Sequence, residues 1–275
     1  MRQLLQLGLE LRLWVAVCVT TLSLFCEQIL FGTAADASTV HIGSSARIVM
    51  AATLALYNLD GTLDCLPLEP SKRQRRRAHL TLTIIASLWL QIELIQVGTW
   101  LMLPILFGFL ACSSYAFRLV VLGRSIQLKA VPGLKSPFIG SAVGTAVVLV
   151  PLLCAAKQRP WLSAAVLAAS LCCLCTANAQ LFDFPDYLSD QSNGIRTTPL
   201  ALGENISRLI CIGWISLGVM FGAFTASPAR YPLFALGCAL LVATGLTKTT
   251  TPKSKVAFFV DGALCLPLFV RTIMA

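Results

Sequence analysis

Residues 161–182 read WLSAAVLAASLCCLCTANAQLF, and no side chain among them carries a charge. About 20 consecutive apolar residues make one bilayer-crossing helix, so this stretch predicts a membrane span. DFPDYLSDQSNGIRTTP, residues 183–199, follows at once and sets aspartates at 183, 186 and 190 against the end of that span. A carboxylate near membrane depth costs about 2.5–3.5 kcal/mol on insertion scales, so it tends to be paired or functional. The fold class and the candidate site both turn on this junction.

Eight further apolar runs resemble the first. Together the nine predicted spans cover roughly 13–32, 43–59, 80–98, 100–118, 137–156, 161–182, 207–226, 231–248 and 256–274. The first begins behind Arg2 and Arg12 and is longer than the core of a secretory signal, so it reads as a retained span. The chain is 57% hydrophobic and 12% charged, with a mean hydropathy of +0.80. Soluble domains carry about 25% charged residues. The expected fold is all-α, a polytopic membrane protein of about nine helices in one bundle, with residues 1–275 as a single domain.

Basic residues orient the bundle. With the N-terminus cytoplasmic, sixteen Lys and Arg fall on the cytoplasmic side and four on the other, while Arg47 lies at the second span. That asymmetry follows the positive-inside rule and places the C-terminus outside. The net charge of +9 is therefore topogenic and implies the lipid bilayer, with no nucleic acid, as its partner. The eleven cysteines sit almost entirely in apolar runs and lack zinc spacing, so they read as small buried hydrophobes.

Only twelve acidic residues exist, and five of them form two groups, Asp60 with Asp64 and Asp183 with Asp186 and Asp190. Both groups sit at predicted cytoplasmic ends of even-numbered spans. Spacings of three and four place side chains on one helical face. Converging carboxylates suit a hard divalent cation, above all Mg2+ held together with substrate phosphates. The segment SKRQRRR (71–77), the 118–135 loop and Arg196 put cations on the same side. Metal-holding acids beside phosphate-holding bases describe a diphosphate site. Taken singly, NLDGTLD is also a turn, SKRQRRR a topogenic loop and DFPDYLSD a solvated loop.

These residues resemble the UbiA superfamily of intramembrane prenyltransferases. Its second signature matches Asp183-x-x-Asp186-x-x-x-Asp190, followed by Gly194, Arg196-Thr197-Thr198-Pro199 and Gly203. Its first signature, Asn-x-x-x-Asp-x-x-x-Asp, is met by Asp60 and Asp64. The asparagine position falls on Leu56, so either Asn58 substitutes from a shifted helix turn or that contact is lost. YAFRLV…VPGLKSPF (115–138) resembles the loop after the fourth span in one branch of the family.

The resemblance implies a nine-helix fold with a cytoplasmic-side active site in a bacterial inner membrane. It implies a Mg2+-dependent transfer of an isoprenoid from a prenyl diphosphate to a lipophilic or aromatic, quinone-precursor-like acceptor. Asp60, Asp64, Asp183, Asp186, Asp190 and Asn58 are then the expected metal ligands. Lys72, Arg73, Arg124, Lys135 and Arg196 are the expected diphosphate contacts, and Tyr115 a substrate contact. The other readings are a terpene cyclase on the same fold, a non-catalytic isoprenoid-binding or assembly protein, and, least favoured, a transporter. Glu27, Glu93 and Asp261 lie within spans and call for partners, with Arg47 the natural one for Glu93.

Overall fold

Over the described residues, each apolar run of the sequence is largely helical. The computed structural model describes residues 12–32, 43–64, 70–98, 102–116, 118–121, 124–127, 131, 133–155, 160–192, 194–225 and 227–274. The helices are α1 (Leu13–Phe31), α2 (Ser44–Asp64), α3 (Pro70–Val97), α4 (Met102–Ala116), α5 (Lys135–Cys154), α6 (Trp161–Phe182), α7 (Tyr187–Ser192), α8 (Thr198–Leu202), α9 (Glu204–Ala223), α10 (Ser227–Leu246), α11 (Lys253–Val256) and α12 (Leu266–Met274). A π-helical turn, Ala257–Asp261, separates the last two.

Among the described residues, seven helices are long and apolar enough to cross a membrane, ending with the Lys253–Met274 segment. The other two expected spans are α2, whose hydropathy is lowered by Arg47, Asn58, Asp60 and Asp64, and the short α4. Seven spans are thus met on length and composition, where the sequence suggested about nine. Large apolar side chains such as Leu103, Phe107 and Leu162 face outward, as they do on a surface solvated by lipid.

Two local structures differ from the sequence reading. SKRQRRR is the first two turns of α3, begun by Pro70, because Pro fits the first helical turn and Lys, Arg and Gln are good helix formers. Inside the 118–135 loop, Arg118–Val121 (β1) and Arg124–Gln127 (β2) pair as an antiparallel hairpin.

The tightest seam joins α5 and α6. A methyl group on Gly144 would stand 2.5 Å from the backbone nitrogen of Cys172, and one on Gly140 would run into the backbone of Thr176. Small residues four apart let membrane helices approach backbone to backbone. The seam matters to the site, because α5 begins at Lys135 and α6 ends beside Asp183.

The two ends of the bundle carry different polar groups. At one end Arg47 Nε meets Glu93 Oε1 at 2.8 Å, which is the pairing the sequence suggested. Trp89 Nε1 donates to the same oxygen at 3.0 Å, and Ser45 Oγ donates to Glu27 Oε2 at 2.6 Å. The aspartate motifs occupy the opposite end.

Candidate active site

Pro185 shapes the second motif. It has no N–H to continue α6, and its ring crowds the preceding turn, so the helix gives way to a turn over residues 183–186. Asp183 closes α6, Asp186 ends the turn and Asp190 lies on α7. The three carboxylates therefore converge across a helix break, not along one helical face.

They converge on Lys135. Its Nζ donates to Asp190 Oδ2 at 2.9 Å and lies 3.1 Å from Asp183 Oδ1 and 3.9 Å from Asp186 Oδ2. Ser136 Oγ donates to Asp183 Oδ2 at 2.8 Å, and Lys253 Nζ reaches Asp186 Oδ1 at 2.6 Å. Asp183 is only 1% exposed. Burial raises the Asp183 and Asp190 carboxyls above the ordinary range, while the Lys135 ammonium works against that rise.

The first motif stands across a cavity from the second. Asp60 on α2 lines a cavity of about 130 Å³ that also carries the charged Lys135, Asp186 and Lys253 on its wall. It also lines a second cavity of about 680 Å³, enclosed mainly by apolar side chains of α2, α4 and α5. Val19, Tyr57, Asp60, Ile139 and Val143 border both, so a charged chamber adjoins an apolar one. The larger chamber follows α5 from Leu134 to Leu153, roughly 28 Å along the helix at 1.5 Å per residue.

The remaining candidate residues divide by position. Tyr115 is buried, stacks on Phe138 with ring centroids 5.0 Å apart, and borders the apolar chamber. Asn58 is fully buried; its Nδ2 donates to the Leu54 carbonyl and its Oδ1 lies 2.7 Å from His79 Nδ1. It borders neither chamber, whereas Leu56, at the family asparagine position, borders the apolar one. Arg73 and Arg196 are exposed. Asp64 ends α2 and Arg124 lies on β2, but their side chains, and that of Lys72, are outside the described residues.

Sequence reasoning missed Lys253, Ser136 and Arg12, the last of which also lines the smaller cavity. Lys253 and Arg12 were visible as cations at the cytoplasmic ends of spans, yet they entered only the count that fixed orientation. Ser136 gave no signal of its own beyond standing next to Lys135.

The donor set fits magnesium in kind. It is made of hard carboxylate oxygens. Asp183 Oδ1 is buried without a hydrogen-bond partner, its 3.1 Å approach to Lys135 being ionic and not hydrogen-bonded in geometry. Among the described residues no three acidic, histidine or cysteine side chains already stand as a formed metal centre, and the Lys135 ammonium takes the central place.

The sequence model of the UbiA prenyltransferase family matches residues 69–269. No curated protein sequence matches the chain. Among the solved structures that share the fold are the following three. The apo structure of a UbiA homolog from Aeropyrum pernix K1 is 13% identical, covers 95% of this chain and 96% of its own, and has a TM-score of 0.64. The UbiA homolog from Archaeoglobus fulgidus bound to GPP and Mg2+ is 12% identical over 95% of this chain and 97% of its own, with a TM-score of 0.61. A structure from work on digeranylgeranylglyceryl phosphate synthase is 13% identical over 99% of this chain and 98% of its own, with a TM-score of 0.59. The apolar helices and the family match make the chain an integral, multi-pass membrane protein. Family model and helical fold agree, and the chain belongs to the UbiA prenyltransferase family.

Proposed function

We propose that this protein is a magnesium-dependent prenyltransferase that moves an isoprenoid chain from a prenyl diphosphate to a lipophilic or aromatic acceptor. The observation that carries this reading is the junction of the two chambers at Asp60 and Tyr57, charged on one side and apolar on the other. A prenyl diphosphate has the same two halves. The binding of GPP and Mg2+ by the Archaeoglobus fulgidus homolog supports it.

Asp60, Asp64, Asp183, Asp186 and Asp190 would hold the ions, with Asn58 a candidate through a shifted side chain. Magnesium bound there supplies positive charge to neutralise the departing diphosphate. Lys135 and Lys253 add fixed cations at the same place and would share that load; Lys72, Arg73, Arg124 and Arg196 are the outlying diphosphate contacts. Tyr115 stacked on Phe138 forms the wall past which the chain enters the apolar chamber. The low-dielectric helices exclude water from an allylic cation.

The direct test supplies the purified protein with Mg2+, geranyl, farnesyl or geranylgeranyl diphosphate, and a panel of aromatic and lipophilic acceptors. A prenylated product that vanishes on chelation is expected. Folded protein that turns over none of these pairs would sink the reading.

The apolar chamber also predicts chain-length selection. Ala146 borders it about 16 Å along α5 from Lys135, at 1.5 Å per residue. Ala146→Phe should leave geranyl transfer within about twofold of wild type and cut kcat/KM for geranylgeranyl diphosphate about tenfold or more, the scale of a blocked apolar pocket. Equal loss for both donors would show that the tail runs elsewhere.

A further inference from the structure

By charge alone Arg208, one turn into α9, is another of the cations that orient the bundle. Its side chain nevertheless turns inward and is only 21% exposed. The guanidinium closes the end of α10. Nη1 donates to the carbonyl of Thr244 at 2.7 Å and to that of Gly245 at 3.4 Å, and Nη2 donates to the carbonyl of Thr247 at 2.5 Å. Nη2 also donates to Glu204 Oε1 at 2.7 Å. The last carbonyls of a helix have no partner inside it, and a cation there complements the helix dipole.

The same cation reaches the second aspartate motif. Its central carbon lies 5.6 Å from the centroid of the Phe184 ring, within the range of a cation–π contact. Phe184 is fully buried and stands between Asp183 and Pro185 in the chain. Beside Arg208, the Ser207 carbonyl accepts from Gln180 Nε2 at 2.9 Å, and the Gln180 carbonyl in turn accepts from the N–H of Asp183 at 3.1 Å. The start of α9 therefore holds the chain both before and after Asp183.

A second route runs through α10. The carbonyls that Arg208 holds stand at the head of a short link, residues 248–252, that leads to Lys253. That link is tied on itself, since the Lys248 N–H donates to Thr251 Oγ1 at 2.9 Å and the Thr251 N–H donates to the Lys248 carbonyl at 2.9 Å. Lys253 Nζ then meets Asp186 Oδ1 at 2.6 Å. One guanidinium thus fixes the ring next to Asp183 and the origin of the segment that brings Lys253 to Asp186. It borders neither chamber. Lysine is a point charge without a planar fork, so it would not hold these carbonyls and face a ring at once.

We propose that Arg208 is a positioning residue for the diphosphate site, setting Asp183 through Phe184 and Asp186 through Lys253 without touching the ligand. This role rests on the transferase reading. A misplacement of about 1 Å in such a site can cost about 10²-fold, so a smaller shift is already measurable.

The test uses the full chain in lipid nanodiscs and reads its affinity for farnesyl diphosphate in Mg2+ by calorimetry, beside its melting temperature. Arg208→Lys keeps the charge and loses the fork, and should bind farnesyl diphosphate about tenfold more weakly. Phe184→Leu removes the ring and should weaken binding about threefold to tenfold. Both changes break one shared contact, so their effects in the double variant should combine to less than their product. Arg47→Met breaks the pair with Glu93 at the other end of the bundle and controls for stability. It should lower the melting temperature and leave the affinity within about twofold of wild type.

Folded Arg208→Lys with wild-type affinity would overturn the assignment. So would a loss no larger than that of Arg47→Met at equal melting temperature, or losses that multiply fully in the double variant. Where Arg208→Lys does not fold, Phe184→Leu decides, and unchanged affinity there overturns the role. Wild-type protein that binds no farnesyl diphosphate in Mg2+ overturns the transferase reading and this role together, a result distinct from all of these.

Discussion

Gly140→Ala is expected to destabilise the protein by about 3 kcal/mol or more, although it adds one methyl group. The methyl would enter the backbone of Thr176, and at Gly144 it would meet the backbone of Cys172 at 2.5 Å. A flexible side chain could yield at such a distance, but the backbone of a packed helix cannot. Overpacking a fitted core typically costs about 1–3 kcal/mol, and backbone against backbone belongs at or above the top of that range. Gly213→Ala is the matched control, because nothing lies within 4 Å of its added methyl. There the change should be neutral or stabilising by about 0.5–1 kcal/mol, since alanine outranks glycine inside a helix. Melting temperatures in one detergent, read by fluorescence-detected gel filtration, compare the two directly. Equal melting would mean that α5 and α6 are not in contact at this seam. The loss should reach activity as well, since the seam sets the distance from Lys135 to Asp183.

Much of this fold is written in local sequence. The span at 161–182 has the limits that its charge-free run predicts, because nothing polar interrupts it before Asp183. The α5–α6 seam is legible in the same way, as two glycines four residues apart. What escaped the sequence was long-range or depended on helix continuity. SKRQRRR reads as loop by charge and as helix by propensity, and propensity prevailed once Pro70 had started α3. The three aspartates suggested a single helical face, but Pro185 broke the helix and a lysine 48 residues upstream of Asp183 drew them together. Lys253 reaches Asp186 from the last helical segment, a partnership between distant residues that no spacing encodes. Asn58 shows the converse: its residue type suggested a ligand, whereas its actual neighbour is His79, reached only by packing α2 on α3.

Lys135→Met is expected to be the most damaging change at the site itself. It removes the ammonium on which Asp183, Asp186 and Asp190 converge and leaves a methionine of similar length among three acids. Removing one partner of a buried ion pair costs about 3–5 kcal/mol, because the other charge stays buried and uncompensated. The loss should be greatest in a chelating buffer, where only Lys253, at Asp186, is left to offset the acids. Added Mg2+ should then raise the melting temperature of Lys135→Met more than that of wild type, since in the variant a cation can take the position the ammonium held. Stabilisation by a ligand that binds the folded chain alone grows with its concentration over its dissociation constant, so the difference should widen as Mg2+ is titrated. Transfer should fall by about 10²–10³, the scale seen when one preorganised charge-stabilising donor is lost, and it should not recover with Mg2+ if the ammonium also steadies the departing diphosphate. The measurement separates the two roles of this lysine. Stability that recovers without activity makes Lys135 both the counter-ion of the three acids and a diphosphate contact. A variant as stable as wild type in chelator would show instead that the three carboxylates do not depend on Lys135 for their neutralisation.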